Sequence, residues 1–507
     1  MEFDSPHDAG MPEKFGAWRM LQDVAFNQIQ NARKRFVAQV VPTGGGKSVT
    51  YMTAAHQSLG RTAVLTSTKG LQAQLLRDFE SIGAVDIRGK NNYTCRLNSL
   101  MSCDAGICNF GVNCRMRNEG GCDYYDQLTR AKNAQIVITN YSYWFVQNEY
   151  GGGIGNFDTL VLDEAHAAPD QLLSYVSVLL DRTNALTRAI LQLDEDLPLT
   201  AADWQEWAED RLISVKAALG DAKIEQNGKK FYTLKQLKLT LEKLLNIDSS
   251  WAWEDRDAEI ELCPMWPAPY AEARLFCGIP KVVLTSATLT PKTLDMLGIK
   301  ETDYEEYPHT FPVENRRVIH LPTVAMSYKT AKSAEPLWLS RIDQIIRART
   351  HKGIIHTVSY ARRNRIMEAS AYSNIMITHQ RRNVEQTVMD FKASPAPKIL
   401  VSPSMATGWD FPGDECRWQI ILKVPYPDIS GTIIKRRMAL DSEWVPYLTA
   451  QQLIQACGRG VRSADDWCDT FILDNNIMKF TSRYRHLFPV WWLEAFSREI
   501  TIPNIKE

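Results

Sequence analysis

Short apolar runs rich in β-branched residues recur along this chain, and segments with helical periodicity separate them. Buried parallel strands have this appearance, and two parallel strands need a crossover helix between them. The runs fall into two sets, which predicts two α/β domains with parallel sheets. The runs of the first half are Phe36 to Val41, Thr62 to Thr66, Ile136 to Thr139, Thr159 to Leu162 and Lys281 to Thr285. Those of the second half are Val318 to Leu321, Gly353 to Thr357, Ile399 to Ser402, Ile420 to Leu422 and Phe471 to Leu473.

Two segments interrupt this alternation, and each is interpreted as an insertion. The first, residues 91 to 133, is rich in cysteine, glycine and asparagine and has little periodicity. Something other than packed side chains should therefore hold it together. The second, residues 170 to 260, is predicted to be a helical subdomain because it contains an apolar helix face. That face consists of Leu234, Leu237, Leu241 and Leu244.

The composition is that of a folded protein with several domains. A chain of 507 residues suggests about three or four domains, and 45% hydrophobic with 23% charged residues excludes a mainly disordered or fibrous chain. No stretch reaches the roughly 18 uncharged apolar residues of a membrane helix, and the N-terminus is acidic, so we expect a cytoplasmic protein without membrane contact. The formal net charge of -1 leaves only local basic patches to bind a polyanion.

A glycine-rich loop directly follows the first predicted strand. It reads Pro42-Thr43-Gly44-Gly45-Gly46-Lys47-Ser48, and a segment of helical character follows. Backbone N–H groups of such a loop can approach phosphate oxygens, and the helix adds the positive end of its dipole. Lys47 would reach the β and γ phosphates, and the Ser48 hydroxyl would bind Mg²⁺. The strict pattern has glycine where this chain has Val41, and a plain glycine turn is the alternative.

A pair of carboxylates ends another predicted strand. The run Asp158 to Leu162 leads into Asp163-Glu164-Ala165-His166. Because the carboxyl ends of parallel strands form the ligand-binding edge of a sheet, these residues should lie beside the phosphate loop. Asp163 would hold Mg²⁺ through water, and Glu164 would polarise the attacking water. Taken alone, an Asp-Glu pair is at least as often a solvated strand end.

Five of the ten cysteines lie within the first insertion. Because cytosolic thiols stay reduced, metal ligation is a better interpretation than a disulfide scaffold. Zinc sites favour two closely spaced cysteine pairs, and only Cys103 and Cys108 have that spacing, whereas wider spacing suits a four-iron cluster. Zinc and unligated thiols remain as alternatives. The five are Cys95, Cys103, Cys108, Cys114 and Cys122.

Four motifs, taken in order, resemble motifs I, II, III and VI of superfamily 2 helicases. The cysteine segment between the first two, and the helical segment between the second and third, are similar to insertions of the DinG/XPD branch. Motif Ia is matched by Thr66 to Lys69. Motif V is matched more weakly by Gly408 to Asp410, with Thr407 where glutamate is common. The four motifs are Pro42 to Ser48, Asp163 to His166, Thr285 to Leu289 and Gln455 to Arg462.

The resemblance covers about residues 15 to 480 and implies a domain arrangement. The fold class is α/β, with two RecA-like parallel-sheet motor domains, an inserted iron-sulfur domain and an inserted helical arch domain. The implied bounds are 1–90 with 134–169 and 261–290 for motor domain 1, 91–133 for the iron-sulfur domain, 170–260 for the arch and 291–507 for motor domain 2.

The resemblance also implies roles for single residues. Arg459 and Arg462 lie three apart, so on a helix they share one face, which in the family closes on the triphosphate. Arg19 and Gln22 are similar to adenine-side contacts, and Tyr141 replaces the histidine of the family's Thr-Asn-His. The implied catalytic residues are Lys47, Asp163, Glu164, His166, Gln455, Arg459 and Arg462. The implied nucleotide-binding residues are Arg19, Gln22, Thr43, Gly44, Gly45, Gly46, Lys47, Ser48 and Asp410.

The same resemblance implies which cysteines bind a 4Fe-4S cluster. The contexts of Cys95 and Cys122 resemble the first and last ligands of DinG-like proteins. Two of Cys103, Cys108 and Cys114 would complete the set, with Cys114 as the preferred third ligand. One cysteine is then left over.

Residues 88 to 132 carry a local net charge of +3 in a nearly neutral chain. Such a surface could follow the phosphates of a single strand while aromatic side chains stack on bases. For each aromatic residue, a place in the core is the commoner alternative. A second basic patch, Arg362, Arg363 and Arg365, is equally explained as a solvated face. The stacking candidates are Tyr93, Tyr124, Tyr141 and Trp144.

We therefore predict an ATP-dependent DNA helicase that uses Mg²⁺ and a 4Fe-4S cluster. It would move 5′ to 3′ on single-stranded DNA, open forked or tailed duplexes, act as a monomer and have replication or repair proteins as partners. Two alternatives are an ATP-driven translocase or remodeller without unwinding, and a non-hydrolysing, metal-sensing nucleic-acid-binding protein. The last is disfavoured by the joint presence of Lys47, Asp163, Glu164, Arg459 and Arg462.

Overall fold

A computed structural model describes most of the chain, namely residues 3–110, 113–194, 196–225, 228–327, 333–403, 409, 411–458, 460–461, 463 and 465–505. Within these residues the strands form two seven-stranded sheets and one three-stranded sheet. The strands are β1 (Phe36–Val40), β2 (Thr62–Thr66), β3 (Ala84–Asp86), β4 (Ile136–Asn140), β5 (Thr159–Asp163), β6 (Val178–Asp181), β7 (Trp251–Asp255), β8 (Glu259–Pro264), β9 (Lys281–Ser286), β10 (Asp303–Glu306), β11 (Val318–Val324), β12 (Gly353–His356), β13 (Met376–Thr378), β14 (Ile399–Ser402), β15 (Trp418–Ile421), β16 (Asp469–Asp474) and β17 (Phe496–Arg498).

Helices connect the parallel strands and build much of the second insertion. None of those in the described ranges is both long and apolar enough to cross a membrane. The helices are α1 (Gln22–Asn31), α2 (Lys47–Gln57), α3 (Lys69–Phe79), α4 (Arg115–Asn118), α5 (Asp123–Asn133), α6 (Tyr141–Tyr150), α7 (Ala168–Val176), α8 (Ala185–Leu191), α9 (Ala201–Ile224), α10 (Gly228–Leu244), α11 (Ala268–Tyr270), α12 (Pro291–Met296), α13 (Glu335–Arg347), α14 (Tyr360–Ala369), α15 (Val384–Ala393), α16 (Thr432–Leu440), α17 (Trp444–Cys457), α18 (Asn476–Arg483) and α19 (Val490–Ala495).

The first sheet is parallel throughout, with the strand order β10-β1-β9-β5-β2-β4-β3. Its central strands are apolar, and all five residues of β2 are buried, as expected of strands covered on both faces. At the edge, β10 pairs with β1, so that Asp303 lies opposite Val37. The first sheet therefore continues past residue 290, the predicted end of motor domain 1.

The second sheet is also parallel, with the order β13-β14-β12-β15-β16-β11-β17. All four residues of β14 are buried, and the strand has the bounds that the sequence predicted. The edge strands β13 and β17 were not predicted. The two sheets confirm the prediction of two parallel-sheet α/β domains.

The cysteine-rich segment between β3 and β4 contains little regular structure. A bridge between Thr94 and Ser102 closes a turn at its start, and α4 has only four residues. Tyr124 on α5, Cys103 and Cys122 are buried and belong to the core cluster of the first sheet. Packed side chains therefore anchor the segment more than its sequence suggested.

The second insertion is mixed rather than wholly helical. α9 and α10 pack against each other, and the predicted leucine face of α10 is buried. The prediction of a helical subdomain is incomplete, because β6, β8 and β7 form an antiparallel sheet within and beside it. A signal was present in β8, where Ile260 and Leu262 are buried and alternate with half-buried glutamates, the period of a strand with one covered face.

The small sheet also contacts the second domain. Arg436 on α16 donates hydrogen bonds to the carbonyls of Trp251 and Ser249, each at 2.9 Å. The carboxylate of Glu254 accepts a hydrogen bond from the backbone N–H of Thr432 at 3.2 Å. The second insertion therefore joins both halves of the molecule.

Candidate functional site

The glycine-rich loop lies where β1 leads into α2, as predicted. Gly44 and Gly46 have φ angles of 78° and 76°, in the left-handed region that glycine adopts most readily. A Cβ on Gly46 would also lie 1.9 Å from Nε2 of Gln22, so a side chain there would displace Gln22. Because α2 begins at Lys47, the loop stands at a helix N-terminus, which is a phosphate-binding geometry.

Two side chains upstream of the loop bind its carbonyl groups. Nη1 of Arg19 donates to the carbonyl of Gly44 at 2.8 Å. Nε2 of Gln22 donates to the carbonyls of Gly45 (3.2 Å) and Gly46 (3.1 Å). Arg19 and Gln22 therefore support the conformation of the loop. Their contact with adenine stays a prediction.

Glu164 lies beside the loop at the end of β5. Its Oε1 is 2.5 Å from Nζ of Lys47, and its backbone has a left-handed φ of 51°, uncommon for a residue with a side chain. Burial alone would raise the pKa of Glu164, but the charge of Lys47 and the hydrogen bond of His166 together lower it well below its usual range. Glu164 is thus ionised, as a residue that polarises water must be.

Asp163 has different surroundings, although it is the adjacent residue. Its side chain is 4% exposed, and its Oδ1 has no hydrogen-bond partner among the described residues. Burial raises the pKa of Asp163 to about 6, although the charge of Lys47 opposes the shift. The buried hydroxyl of Tyr51 lies near both Asp163 and Ser48, but it has no hydrogen-bond partner among the described residues. A buried carboxylate oxygen in need of a partner, next to a serine hydroxyl, fits the oxygen ligands of Mg²⁺.

A chain of polar contacts joins the second domain to Glu164. Oγ of Ser286, the last residue of β9, lies 2.6 Å from Nδ1 of His166 and donates to Oε2 of Glu164 at 3.4 Å. The other ring nitrogen of His166 hydrogen-bonds the side-chain amide of Gln455 on α17. The structure thus brings together His166 and Gln455, which were predicted separately.

The C-terminal end of α17 reaches the phosphate loop. Gln451 donates a hydrogen bond to the carbonyl of Thr288 at 2.7 Å, and a Cβ on Gly458 would lie 3.0 Å from Cγ2 of Thr43. The two domains are therefore in contact beside the loop. The predicted residues that lie outside the described part of the chain are Thr407, Gly408, Asp410, Arg459 and Arg462.

Three residues of this site were not predicted as such. Ser286 lies within the recognised motif Thr285 to Leu289, and its polar side chain at a strand end was an available signal. Tyr51 and Gln451 lie in segments with helical character, where no local pattern marks a tyrosine or a glutamine as a site residue.

Comparison with known families finds two helicase domains in the chain. A DEAD/DEAH box helicase domain matches residues 19–192, and a helicase C-terminal domain matches residues 342–495. The first contains the glycine-rich loop and Asp163 to His166. The second contains Gln455.

The fold is similar to solved structures of XPD proteins. An XPD helicase has a TM-score of 0.65 and 16% identity, covering 94% of this chain and 98% of its own. An apo XPD structure has a TM-score of 0.62 and 16% identity, covering 92% and 98%. Xpd4 of S. tokodaii has a TM-score of 0.60 and 13% identity, covering 95% and 100%. No curated protein sequence matches significantly.

The chain thus carries two helicase domains, and its fold is similar to that of XPD proteins. The five predicted cluster cysteines are neighbours in space. Burial, followed by the proximity of the Cys122, Cys95 and Cys108 thiols, raises the pKa of Cys103 to about 12. Burial also raises the pKa of Cys108, which lies near Cys114 and Cys122. The thiol of Cys103 thus lies near those of Cys95, Cys108 and Cys122, and the thiol of Cys108 lies near that of Cys114.

The thiol cluster fits an iron-sulfur group in its donor chemistry. In the ranges that the structure describes, which lack residues 111–112 of this segment, no three metal-binding side chains are arranged as a closed metal site. Thiolates are nevertheless the usual ligands of such clusters. A Cβ on Gly106 would lie 3.4 Å from Sγ of Cys95 and 3.8 Å from Sγ of Cys108, so a bulkier residue there would crowd two of the sulfurs. The metal and its ligand set stay predictions.

A cavity of about 1550 Å³ lies between the first domain, the cysteine-rich segment and α10. On the side of the cysteine-rich segment, the ring of Tyr125 lies 5.2 Å from Nζ of Lys90 and 4.7 Å from the guanidinium of Arg117. Basic and aromatic side chains in one groove are typical of proteins that bind single-stranded nucleic acid. Further lining residues are Ser67 and Lys69 of motif Ia and, on α10, Phe231, Tyr232 and Lys235.

The four stacking candidates occupy different places. Tyr124 and Tyr141 lie in the wall of the cavity, but each is only 1% exposed and belongs to the core. Tyr93 lines a separate cleft of about 360 Å³. Trp144 is a core residue, because its side chain is 2% exposed and its indole N–H donates to the carbonyl of Leu275 at 2.9 Å. For Trp144, as for Tyr124 and Tyr141, burial favours the core alternative over stacking on a base.

Two arginines of the second predicted basic patch bind neighbouring groups of the protein itself. Arg363 is buried and donates to the carbonyl of His379 at 2.7 Å. Arg365 forms ion pairs with Glu335 (2.6 Å) and Glu368 (2.9 Å). These contacts favour a structural role for the patch.

Proposed function

We propose that this protein is an ATP-dependent DNA helicase that moves 5′ to 3′ along one strand and opens forked or tailed duplexes. The observation that supports it most is the contact of the two domains beside the phosphate loop, where Gln455 reaches His166 and Gly458 lies against Thr43. A nucleotide bound at the loop would lie between the domains. Its hydrolysis would therefore change their contact, which is how a two-domain motor couples chemistry to movement.

The paired side chains of Lys47 and Glu164 suggest how hydrolysis is prepared. They lie 2.5 Å apart, and a γ-phosphate would compete with Glu164 for the Lys47 ammonium. The released carboxylate would then orient the attacking water while His166 keeps it charged. Mg²⁺ bound at Ser48 and, through water, at Asp163 would neutralise phosphate charge. Arg459 and Arg462 are proposed to stabilise the transferring phosphoryl group.

Replacement of Glu164 by glutamine tests this chemistry. Glu164→Gln keeps the size of the side chain but cannot accept a proton, so we expect ATP turnover to fall by about 100-fold or more. Affinity for a fluorescent ATP analogue should stay within about twofold, since Lys47 remains at the loop. Glu301→Gln, at an exposed position of the same domain, is the control. Retained turnover in Glu164→Gln would contradict the assigned role.

The nucleic acid is proposed to pass through the cavity beside the cysteine-rich segment. Its basic and aromatic lining suits a single strand better than a duplex, because unpaired bases can stack on rings. Stimulation of ATP hydrolysis should be stronger with a single-stranded DNA oligonucleotide than with RNA of the same sequence. Duplexes with a 5′ tail should be opened, and duplexes with only a 3′ tail should not. The opposite preference would overturn the proposed polarity.

The cysteine cluster is proposed to hold a 4Fe-4S group through Cys95, Cys122 and two of the remaining three cysteines. Such a group would supply a covalent core to a segment that has few regular elements. The visible spectrum and the iron and zinc content of anaerobically purified protein test this proposal. A brown sample with about four irons per chain is expected. A colourless sample that contains zinc would replace the cluster by the zinc alternative.

The two alternative functions give different results in the same assays. A translocase without unwinding would hydrolyse ATP with single strands and displace bound protein from them, yet leave every tailed duplex intact. A non-hydrolysing binding protein would bind DNA without any turnover. The polar contacts between Gln455, His166 and Glu164 favour an active ATPase over the latter.

A further inference from the structure

Tyr141 is the first residue of α6 and lies directly after β4. Its side chain is 1% exposed, and its hydroxyl donates a hydrogen bond to the backbone carbonyl of Asp163 at 3.4 Å. That carbonyl belongs to the peptide group that joins Asp163 to Glu164. Tyr141 therefore contacts the backbone between the two carboxylates that the proposed chemistry uses.

This peptide group needs support because of the conformation of Glu164. The φ of Glu164 is 51°, and a residue other than glycine is strained in this region unless surrounding contacts hold it there. The orientation of the peptide also sets the direction in which the Glu164 side chain leaves the backbone. A hydrogen bond to the carbonyl of Asp163 therefore helps to keep the Glu164 carboxylate beside Lys47.

Tyr141 is held in turn by the wall of the nucleic-acid cavity. The side chain of Asn140 accepts a hydrogen bond from the backbone N–H of Tyr143 at 3.0 Å and so caps α6. Its amide donates to Oε1 of Gln72 at 3.2 Å, a buried side chain on α3, which is the helix that begins at Lys69. Asn140, Tyr141 and Lys69 all line the cavity. A continuous set of contacts thus runs from the cavity to the peptide.

We propose that Tyr141 is a positioning residue that holds the peptide between Asp163 and Glu164 and connects it to the cavity wall. Nucleic acid in the cavity then raises the rate of ATP hydrolysis through this connection. The inference rests on the proposed ATPase function.

The full-length Tyr141→Phe variant tests the inference, because it removes the hydroxyl and keeps the ring. With a saturating single-stranded DNA oligonucleotide, we expect kcat for ATP to fall about tenfold. This is about the effect of losing one hydrogen bond that holds Glu164 in its reactive position. The KM for ATP and the affinity for fluorescent ADP should stay within about twofold, because Tyr141 does not lie on the phosphate loop. Tyr304→Phe on β10, which removes a hydroxyl from another tyrosine of the first domain, should match the wild type.

The outcomes separate this inference from the proposed function. A wild-type protein that hydrolyses no ATP would overturn the proposed function and, with it, this role. Wild-type hydrolysis that Tyr141→Phe matches in kcat would overturn the role of Tyr141 alone. A parallel loss of kcat and of nucleotide affinity would also overturn it, since that pattern indicates a general disturbance of the site. A fall of kcat alone supports it.

Discussion

Asp163 and Glu164 are adjacent carboxyl groups with opposite electrostatic surroundings. Glu164 is stabilised as an anion by Lys47 and His166, whereas burial disfavours the charged form of Asp163. A divalent cation near Asp163 would add positive charge to that of Lys47, which alone does not offset the burial. The site is thus divided between one carboxylate suited to a cation and one suited to water.

His309 is a buried histidine whose titration should make stability depend on pH. Its Nδ1 accepts a hydrogen bond from the backbone N–H of Phe311 at 3.1 Å, and its ring lies 5.6 Å from that of Trp491. Burial, with the charge of Arg316 second, lowers the pKa of His309 to about 3. A histidine of an unfolded chain has a pKa of about 6.5, so the unfolded state binds more protons below that pH. The contribution of His309 to stability is complete above pH 6.5 and is lost as the pH falls toward 3.

We therefore expect His309→Gln to reduce the pH dependence of stability. The free energy of unfolding, measured in urea at pH 7 and pH 5, should fall less in this variant than in the wild type, because glutamine does not titrate. An equal fall in the variant and the wild type would contradict the prediction.

Residues that lie within a recognised motif could be placed at the site from residue type and spacing. Lys47 and Glu164 meet as expected, because a loop and a strand end share one edge of the sheet. Tyr51 and Tyr141 could not be placed against Asp163 from sequence, because that contact depends on how α2 and α6 pack on the sheet. For Trp144 the sequence favoured the core but could not decide it, since core and stacking aromatics have the same local pattern.

At the scale of elements, the contact between α16 and β7 joins the second insertion to the second domain. Arg436 donates two hydrogen bonds to backbone carbonyls of the insertion, and Glu254 accepts one from the first turn of α16. A carboxylate at a helix N-terminus is also favoured by the helix dipole. Movement of the second domain would therefore be transmitted to this small sheet.

Arg436→Ala should weaken this contact. Because Arg436 is exposed, we expect a loss of only about 1 kcal/mol in the free energy of unfolding. Urea unfolding followed by tryptophan fluorescence measures the change, since Trp251 lies at the contact. Lys435→Ala, at the neighbouring exposed position on α16, is the control. An equal loss in both variants would show that the helix surface, rather than the contact, is responsible.

Buried strands were predicted from the sequence more accurately than edge strands. β2 and β14 have the predicted bounds, because buried parallel strands are continuous apolar runs. β10 was missed because three of its four residues are acidic, and an edge strand can be polar where it faces solvent. The small antiparallel sheet was missed because its period-two pattern is short and stands beside the long helical pattern of α10.

At the scale of the whole molecule, the decisive feature is the close approach of the second domain to the phosphate loop. Gly458 has an ordinary φ of −81°, so backbone conformation does not require glycine there. The requirement is one of space, because a Cβ would lie 3.0 Å from Cγ2 of Thr43. A methyl group at residue 458 would thus crowd the contact between the two domains.

Gly458→Ala should hinder closure, and a second substitution should relieve it. We expect kcat/KM for ATP to fall about tenfold in Gly458→Ala. Thr43→Ser removes Cγ2 and keeps the hydroxyl, so the double variant should recover most of this loss. Steady-state ATP hydrolysis of the wild type, both single variants and the double variant measures the coupling. Additive losses would show that the two residues do not meet during turnover.

The edge strand β10 has a practical consequence for anyone who wishes to divide this protein. Cutting the gene at residue 290 would leave the N-terminal fragment with β1 as an unpaired sheet border, open to association with other chains. The C-terminal fragment would carry β10 without its neighbour and α16 without the insertion against which it packs. Separately expressed halves should therefore aggregate, and biochemical work is best done on the intact polypeptide.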